Sequence, residues 1–590
     1  MAVLKHAGAI ETMLKIIPLG GLGEIGLNMM VVEYGDTIFI IDAGLMFPED
    51  YMLGVDIVIP EMEYIRENRD KVKGIILTHA HEDHIGAVVY LLREIVIPVY
   101  ATAFTLSIVQ NKLKESDITQ NVIFHQVHPG EHIHIVPFDI EFIRVSHSTV
   151  DGVGLAIRTP VGLVVHTGDF KINHCFEESN VTDISRFARL GDEGVLALFS
   201  DSTNVEREGY TDSDQKVGEA LAQIVSESSG RVIIALFASN IFRIQQIVNI
   251  ALHSRRRLVF NGRSIEQTVA VARELGYLKY PDNMALDVKK VNNHPDSELM
   301  IVTTGSQGEP MSALARMATG FHKQVNIKKG DSVILSSKSI PGNEKAISNI
   351  INNLYRRGAR VVYDKIAQVH VSGHACQEEL KLMINLTRPD YFIPIHGEYR
   401  HLVNHARLAE KLGLPREHVL LAENGNVITF EKCGKVSEQK PESLFLNTES
   451  VHCCESQETY DVRGSISGSV NTGRVLIDGK GIGDVGRSVL KERRNLSEDG
   501  LVVVSMIIDE ETGIVLYGPE LISKGFVFGA ETGYLVDDAQ CVILEIVEEI
   551  EVGSESRVDQ IRSRLQKALK QYFFFTIRRR PVILPIIIEV

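Results

Sequence analysis

Cysteine is scarce in this chain: six residues among 590 (Cys175, Cys376, Cys433, Cys453, Cys454 and Cys541), with no Cys-x-x-Cys pair. That scatter excludes a disulfide framework or zinc-finger module and reads as reduced thiols. Long apolar runs are missing too, none reaching the ~18 residues that a membrane-spanning helix needs. The opening residues show no charged-then-apolar leader pattern, so a cytoplasmic protein without membrane contact is expected. Positive charge is outnumbered, 61 Lys and Arg against 77 Asp and Glu, for a formal net charge of -16. This balance argues against a protein that coats nucleic acid nonspecifically. It leaves room for a local basic channel, because steering depends on where charges sit. With 44% hydrophobic and 23% charged residues, the composition is that of an ordinary globular chain long enough for about three or four domains.

Histidine, by contrast, is concentrated. The apolar run 72–77 leads into Thr78-His79-Ala80-His81-Glu82-Asp83-His84, and a helical pattern follows over 85–94. Alternate side chains of an extended segment share a face, so His79 and His81 point the same way. The turn into the helix swings Asp83 and His84 to a second position nearby. Imidazoles with one carboxylate suit zinc or a neighbouring first-row ion. A solvated polar loop is the plain alternative, and four ligand-capable side chains in six residues weigh against it.

In chain order, a strand over 14–19 precedes a loop in which Gly21, Gly23 and Gly26 have the spacing of a dinucleotide-binding turn. Such a turn must open a helix. Here β-branched segments at 28–33 and 37–41, split by Tyr34-Gly35-Asp36, predict a hairpin instead. Asp42-Ala43-Gly44 ends its second strand, and a helix near 61–71, a strand near 95–100 and a helix near 104–114 follow. A second cluster, His125, His128, His132 and His134, mixes a Pro129-Gly130 turn with strand alternation and reads as the exposed faces of a hairpin. Strands at 140–145 and 162–166 end in Ser146-His147-Ser148 and Thr167-Gly168-Asp169. Both put a metal-capable side chain just beyond a strand's C-terminal end, where open α/β sheets carry their sites.

Together, His79, His81, Asp83, His84, His147 and Asp169 resemble the metallo-β-lactamase fold family, a four-layer αββα core that binds two zinc ions. The resemblance implies that His79, His81 and His147 hold one ion, Asp83 and His84 the other, and Asp169 bridges them. The next candidate ligand, His396, comes over two hundred residues later, which implies an inserted domain. Helical runs near 214–228, 241–253 and 343–357 alternate there with strands, one of them over 231–237, as in an α/β unit. It is similar to the β-CASP insertion of nucleic-acid-processing members, with Asp201, His374 and His396 at the three signature positions; a histidine at the last favours RNA over DNA.

Finer motifs are similar to the ribonuclease J family. They are residues 20–26, Phe47-Pro48-Glu49-Asp50, Thr167-Gly168-Asp169-Phe170-Lys171, residues 200–204, 305–310 and 396–400, and the closing Arg579-Arg580-Pro581-Val582-Ile583-Leu584-Pro585. The expected architecture is therefore α/β: an αββα core at 12–206 and 366–435, a β-CASP domain at 207–365, a linker at 436–463, and a small C-terminal α/β domain at 464–590. That last domain should carry a terminal strand and amphipathic helices near 537–551 and 556–570, and serve assembly into dimers or tetramers.

By this resemblance the protein is a metal-dependent ribonuclease of RNA maturation and decay, including rRNA processing. It is expected to degrade single-stranded RNA from a 5′-monophosphate end and also to cut internally. Two Zn2+ ions, or Mn2+ or Mg2+ in the working enzyme, would activate water. His374, positioned by Asp201, would protonate the leaving 3′ oxygen. A phosphate pocket is expected at His370, Val371, Ser372, Gly373 and His374, with Ser239, Gly305 and Ser306 assisting. A structural Ca2+ at Gly54, Asp56 and Asp478 is a further implication. Partners would be RNA, other copies of the chain, and RNA-decay proteins or the ribosome. Two other readings compete: a small-molecule hydrolase of the same fold, which has no use for the insert, and a non-catalytic scaffold subunit of an RNA-decay complex.

Overall fold

The computed structural model describes residues 13–49, 51–116, 118, 121–172, 181–309, 311–338, 343–435, 460–479, 481–483, 485–526, 533–554 and 556–590. The N-terminal extension, most of the expected linker, Asp50, Pro310, Cys175 and the Cys453–Cys454 pair lie outside them. The chain divides into two compact units, one of Met1–Met46 with Val58–Val475 and one of Phe47–Ile57 with Leu476–Val590.

The first unit is built on two sheets. Apolar β-branched runs such as Met29–Tyr34 and Thr37–Ile41 pair as the expected hairpin and lie inside an eight-stranded sheet. A six-stranded sheet runs through Phe138–Arg144, Val153–Arg158, Leu163–His166, Val195–Asp201 and Tyr391–Ile395. Ile16, Phe39, Phe142, Leu155, Phe199 and Phe430 fill the space between the two sheets. Phe39 and Phe138 meet edge to face across it at 5.0 Å. The outer face of the six-stranded sheet is covered by Ile184–Glu193, Gln377–Thr387 and Tyr399–Lys411, whose Phe187, Leu190, Leu380, Met383 and Leu408 form a second cluster. This is the expected layered α/β core.

Between the strands Val195–Asp201 and Tyr391–Ile395 the chain forms a five-stranded, wholly parallel sheet, in the spatial order Arg257–Asn261, Leu299–Thr303, Val232–Ala235, Ser332–Leu335, Arg360–Val362. Its strands read as continuous apolar runs because helices cover them, as the parallel arrangement requires. Helices Asp214–Glu227, Ile241–His253 and Glu344–Arg356 agree with the sequence to within a residue or so.

The second unit packs Gly533–Glu548 and Arg557–Ile577 on a three-stranded sheet of Leu501–Ile508, Val515–Lys524 and Val582–Glu589. Val502, Val504, Ile543, Leu565, Leu569 and Ile583 make its core.

Local boundaries shifted for identifiable reasons. The strand expected over 95–100 starts only at Val99, because Pro98 has no N–H to give a ladder. The helix expected over 85–94 is two short ones, Glu82–Ile85 and Val88–Glu94, with Gly86 pressed against Leu45 between them. Tyr460–Ser469 pairs antiparallel with Asn426–Lys435 in the eight-stranded sheet, so the core reaches past 464 and the second unit begins at Leu476. Residues 460–463 read as the end of the linker and 464–469 as the start of the C-terminal domain, yet all of them form one edge strand, whose wet face tolerates polar residues.

Gly44 shows how tightly this scaffold holds the histidine motif. Its N–H donates to Asn28 O at 2.9 Å, Asn28 N–H donates to Asp83 O at 3.1 Å, and Leu45 N–H to Glu82 O at 2.9 Å. A Cβ at position 44 would fall 1.6 Å from Asp83 O. Gly44→Ala is expected to cost about 1–3 kcal/mol of stability by overpacking and to lower the metal bound per chain. Thermal unfolding and elemental analysis check both, and unchanged metal content would show that the Asp83 segment is not held from this side.

Candidate metal centre

Every element that carries a candidate ligand ends at the same edge of the two core sheets. His79, His81, Asp83 and His84 follow the strand Val72–Ile76, His147 follows Phe138–Arg144, Asp169 follows Leu163–His166, and His396 follows Tyr391–Ile395. Two groups result, each with donor atoms within 4.8 Å of one another: His79, His81, His147 and Asp169, and Asp83, His84, Asp169 and His396. Asp169 belongs to both.

In the first group, His79 Nε2 and His147 Nε2 each lie 3.1 Å from His81 Nδ1, and 3.7 and 3.8 Å from Asp169 Oδ2. In the second, His84 Nε2 is 3.3 Å from Asp169 Oδ2, and His396 Nε2 is 3.5 Å from it and 3.4 Å from Asp83 Oδ2. Donors about 2.0–2.1 Å from one tetrahedral ion are separated by roughly 3.3 Å. Both sets fit an ion of that size, and the cluster is a metal-binding arrangement whose donors do not by themselves identify the element.

The far nitrogen of each ring fixes the near one. His79 Nδ1 donates to Thr78 Oγ1 at 3.0 Å, His147 Nδ1 to Gly373 O at 2.8 Å, and His84 Nδ1 to Asp42 Oδ2 at 2.8 Å. Each bond places a hydrogen on Nδ1 and turns Nε2 toward the shared space. Asp42 also accepts from Thr78 N–H and Thr78 Oγ1, both at 2.8 Å. It occupies a left-handed backbone position, φ +61°, which an aspartate tolerates. Asp42 and Thr78 are functional neighbours that motif reading missed. Asp42 closes a strand just as Asp169 and Asp201 do, and that signal was available.

The electrostatics separate the histidines into two pools. Burial holds His79 and His147 well below the usual imidazole range, reinforced by neighbouring rings, and brings His81 down to about 4. For His84 and His396 burial also opposes the charged ring, but Asp169 and the other carboxylates outweigh it. His84 is pushed well above its usual range and His396 up to about 9. Burial works against the charged form of Asp169 as well, yet His396 and His84 keep it ionised.

Asp201, at the end of Val195–Asp201, accepts from His374 Nδ1 at 2.8 Å. His374 comes from the segment that returns from the inserted sheet. Ser372 Oγ and His374 O both accept from Asn204 Nδ2, at 2.7 and 2.9 Å. His370 is flanked by Arg243, Arg207 and Lys171 with Asp214 among them; burial first and these cations next bring its ring to about 4. Ser239 and the Gly305–Ser306 pair follow the adjacent strands Val232–Ala235 and Leu299–Thr303, at the same end of the inserted sheet. Ser336 Oγ donates to Val369 O there, next to His370.

Two expectations change. The helix after His374 begins at Gln377, and its cap is already served by the fully buried Glu379, which accepts from Cys376 N–H, Thr211 N–H and Ile172 N–H, each at 2.8 Å. Its first amide is therefore engaged rather than free for phosphate. The residues expected to hold calcium do not fit it. Arg493 donates to Asp478 Oδ2 and to Leu53 O, a Cβ on Gly54 would meet its Nη1 at 2.6 Å, and Asp56 Oδ2 accepts from Gly479 N–H. A guanidinium supplies the positive charge among these oxygens. The glycine-rich loop opens no helix: Leu22–Gly23 pairs in parallel with Gly397–Glu398, bracing the chain just after His396. The histidines of 125–134 belong to no metal grouping among the described residues.

Comparisons with known proteins agree along the chain. Residues 22–216 match the metallo-beta-lactamase superfamily, 229–354 the ribonuclease J beta-CASP domain, 358–422 a Zn-dependent metallo-hydrolase RNA specificity domain, and 488–590 the ribonuclease J C-terminal domain. Ribonuclease J2 of Bacillus subtilis is 40% identical over 98% of both chains. Ribonuclease J 1 of Streptococcus pyogenes is 38% identical over 97% of both, and ribonuclease J 2 of Staphylococcus aureus 39% over 98% of both. Among solved structures, a protein of unknown function from Enterococcus faecalis shares the fold at a TM-score of 0.51, with 16% identity, over 71% of this chain and 100% of that one.

Two measurements test the centre. Asp42→Asn is expected to weaken divalent-metal binding roughly 10–100-fold by releasing His84, read by chelator competition; an unchanged affinity would remove Asp42 from the centre. In the metal-free chain at pH 7, His84 and His396 carry protons and His79, His81 and His147 do not. Loading the Asp83 group must expel those protons, so its affinity should climb with pH until His396 titrates at about 9. Calorimetry in buffers of different ionisation enthalpy should show one buffer-sensitive ion and one nearly insensitive; equal behaviour of both would contradict the division.

Proposed function

Because the chain belongs to the ribonuclease J family and is a metal-dependent ribonuclease, we propose that it is a 5′-to-3′ exonuclease. In this reading it favours 5′-monophosphate single-stranded RNA, cuts internally as well, and works in the cytoplasm in RNA maturation and decay. The observation that carries the proposal is the His374–Asp201 pair at 2.8 Å, with His374 Nδ1 only 3.9 Å from Asp169 Oδ2 of the metal groups. A proton donor beside a two-ion site is what phosphodiester hydrolysis needs.

His79, His81 and His147 would hold one ion, Asp83, His84 and His396 the other, and Asp169 both. The bound ions, Zn2+ or Mn2+ or Mg2+, would supply Lewis-acid polarisation of the phosphodiester and activation of water. The chain's own residues do the rest. Burial opposes charge on His374, but Asp201 outweighs it and raises the ring above the usual imidazole range. Its Nδ1–H is committed to Asp201, which leaves Nε2–H to protonate the departing 3′ oxygen. Arg243, Arg207 and Lys171 around His370 favour an anion and support a terminal-phosphate pocket there, with Ser239, Gly305, Ser306 and residues 371–373 lining it.

The second unit supports assembly. Along Val582–Glu589 alternate residues face the core while Leu584, Ile586 and Ile588 are half-exposed, as is Ile522 on the sheet's edge strand. An apolar sheet face of this kind suits a second copy of the chain. Dimers or tetramers, and RNA-decay partners, belong to this reading.

The test is cleavage of a single-stranded RNA carrying either 5′-monophosphate or 5′-triphosphate. Mononucleotides should be released from the monophosphate end, with His374→Ala lowering kcat about 10²–10⁴-fold while RNA binding persists. His81→Ala and EDTA should abolish turnover. Equal rates on both ends would remove the phosphate preference, and absence of RNA cleavage would return the small-molecule hydrolase and scaffold readings.

A further inference from the structure

Beyond Asp201 the chain passes through Thr203, whose side chain sits between the two halves of the site. Its Oγ1 lies 2.7 Å from His396 Nδ1 and 2.8 Å from Asp201 Oδ1. Its N–H donates to the same Asp201 oxygen at 2.9 Å, and the other oxygen, Oδ2, accepts from His374 Nδ1 at 2.8 Å. His396 Nδ1 and Asp201 Oδ1 are 3.6 Å apart, too far for a direct hydrogen bond. The threonine hydroxyl makes the connection.

We infer that Thr203 is a positioning residue whose single hydroxyl sets the tautomer of His396 and the orientation of Asp201, so that an ion ligand and the proton donor are assembled together. This rests on the reading of the site as a two-ion ribonuclease centre.

The count of hydrogens gives the relay its direction. His396 Nε2 faces Asp83 Oδ2 at 3.4 Å and Asp169 Oδ2 at 3.5 Å, the side on which an ion would bind. A ring that offers Nε2 to an ion carries its hydrogen on Nδ1. Thr203 Oγ1 accepts that hydrogen and gives its own to Asp201 Oδ1. The alternative acceptor, His396 O at 3.2 Å, is farther and uncharged. Asp201 then has one oxygen for Thr203 and one for His374, which fixes the plane of its carboxylate.

Removing the hydroxyl takes away the acceptor for a buried Nδ1–H. The ring can recover by giving up the Nδ1 hydrogen and keeping one on Nε2, where Asp83 and Asp169 accept it. That tautomer has no lone pair for the ion. His396 is also held at φ +55°, a left-handed backbone few residues with side chains adopt, so the ring is braced at both ends in the intact chain.

Thr203→Val deletes the hydroxyl and keeps the shape; Thr203→Ser keeps the hydroxyl and drops the methyl. Zinc affinity of the metal-free full chain, read by competition with a chromogenic chelator, is expected to fall roughly 10–100-fold for one of the two ions in Thr203→Val and to stay within about threefold of wild type in Thr203→Ser. The kcat on single-stranded RNA should follow the same order. Equal weakening in both variants would assign Thr203 a packing role through its methyl and overturn the inference. Wild-type affinity and turnover in Thr203→Val would overturn it too. Should the valine chain fail to fold by circular dichroism, Thr203→Ala repeats the comparison. The zinc titration needs no substrate: if the wild-type chain cut no RNA, the ribonuclease reading would fall while the variants still decided what Thr203 does.

Discussion

A single buried carboxylate oxygen, Asp169 Oδ2, lies 3.3 to 3.9 Å from nitrogens of five histidines: His84, His396, His79, His147 and His374. In a low-dielectric interior such a charge cannot satisfy five rings equally. The rings with further carboxylates, His84 near Asp83 and Asp42 and His396 near Asp83 and Asp201, gather positive charge. His79 and His147, whose other neighbours include like rings, stay neutral. The site is thus built as a concentrated negative charge set between two rings that hold protons and three that stay neutral, an environment in which divalent ions would take over the charge those protons supply.

That concentration is possible only because the backbone has no freedom around it. The ligands come from the ends of strands in two different sheets, so the Phe39–Phe138 packing between those sheets sets the distance between ligand groups. Glycines allow the closest approaches. Gly44 lets the chain pass Asp83, and Gly168, at φ +59°, turns the chain just before Asp169. A Cβ at Gly44 would collide with Asp83 itself, and one at Gly168 would stand 2.7 Å from Val153 O.

Much of this centre was legible because a strand's end is a recognisable place in a sequence. His79, His81, Asp83, His84, His147, Asp169 and Asp201, each read at or just beyond the end of a predicted strand, fall in the cluster. The hairpin expected after the glycine-rich loop forms as well. What the pattern could not carry were partners distant along the chain whose residue types say nothing of their role. Arg493 reaches back to Leu53 O and Asp478, and its guanidinium stands against Gly54 where the resemblance implied a calcium at Gly54, Asp56 and Asp478. Glu379 looks like any surface glutamate on an amphipathic helix, but it is buried and ties together Ile172, Thr211 and Cys376. The strand Tyr460–Ser469 was hidden by its glycines and serines, which an edge position accepts.

The inserted sheet does more than add surface, because the chain returning from it enters the centre directly. On the insert's side, Ser336 holds Val369 O, and on the core's side Asn204 holds Ser372 and His374. Between these anchors, Gly373 O accepts from His147 Nδ1, and a Cβ at Gly373 would stand 2.6 Å from that ring. A second contact, Tyr277 of the insert with the Asp151 carboxylate, lies a few residues along from His147 itself. The returning segment therefore both orients His147, through Gly373 O, and carries His374 to Asp201. A displacement of the insert that pulled on Val369 would act on both histidines through this one stretch of backbone, which ties the placement of a residue of the metal cluster to an element that lies between Asp169 and His396 in sequence.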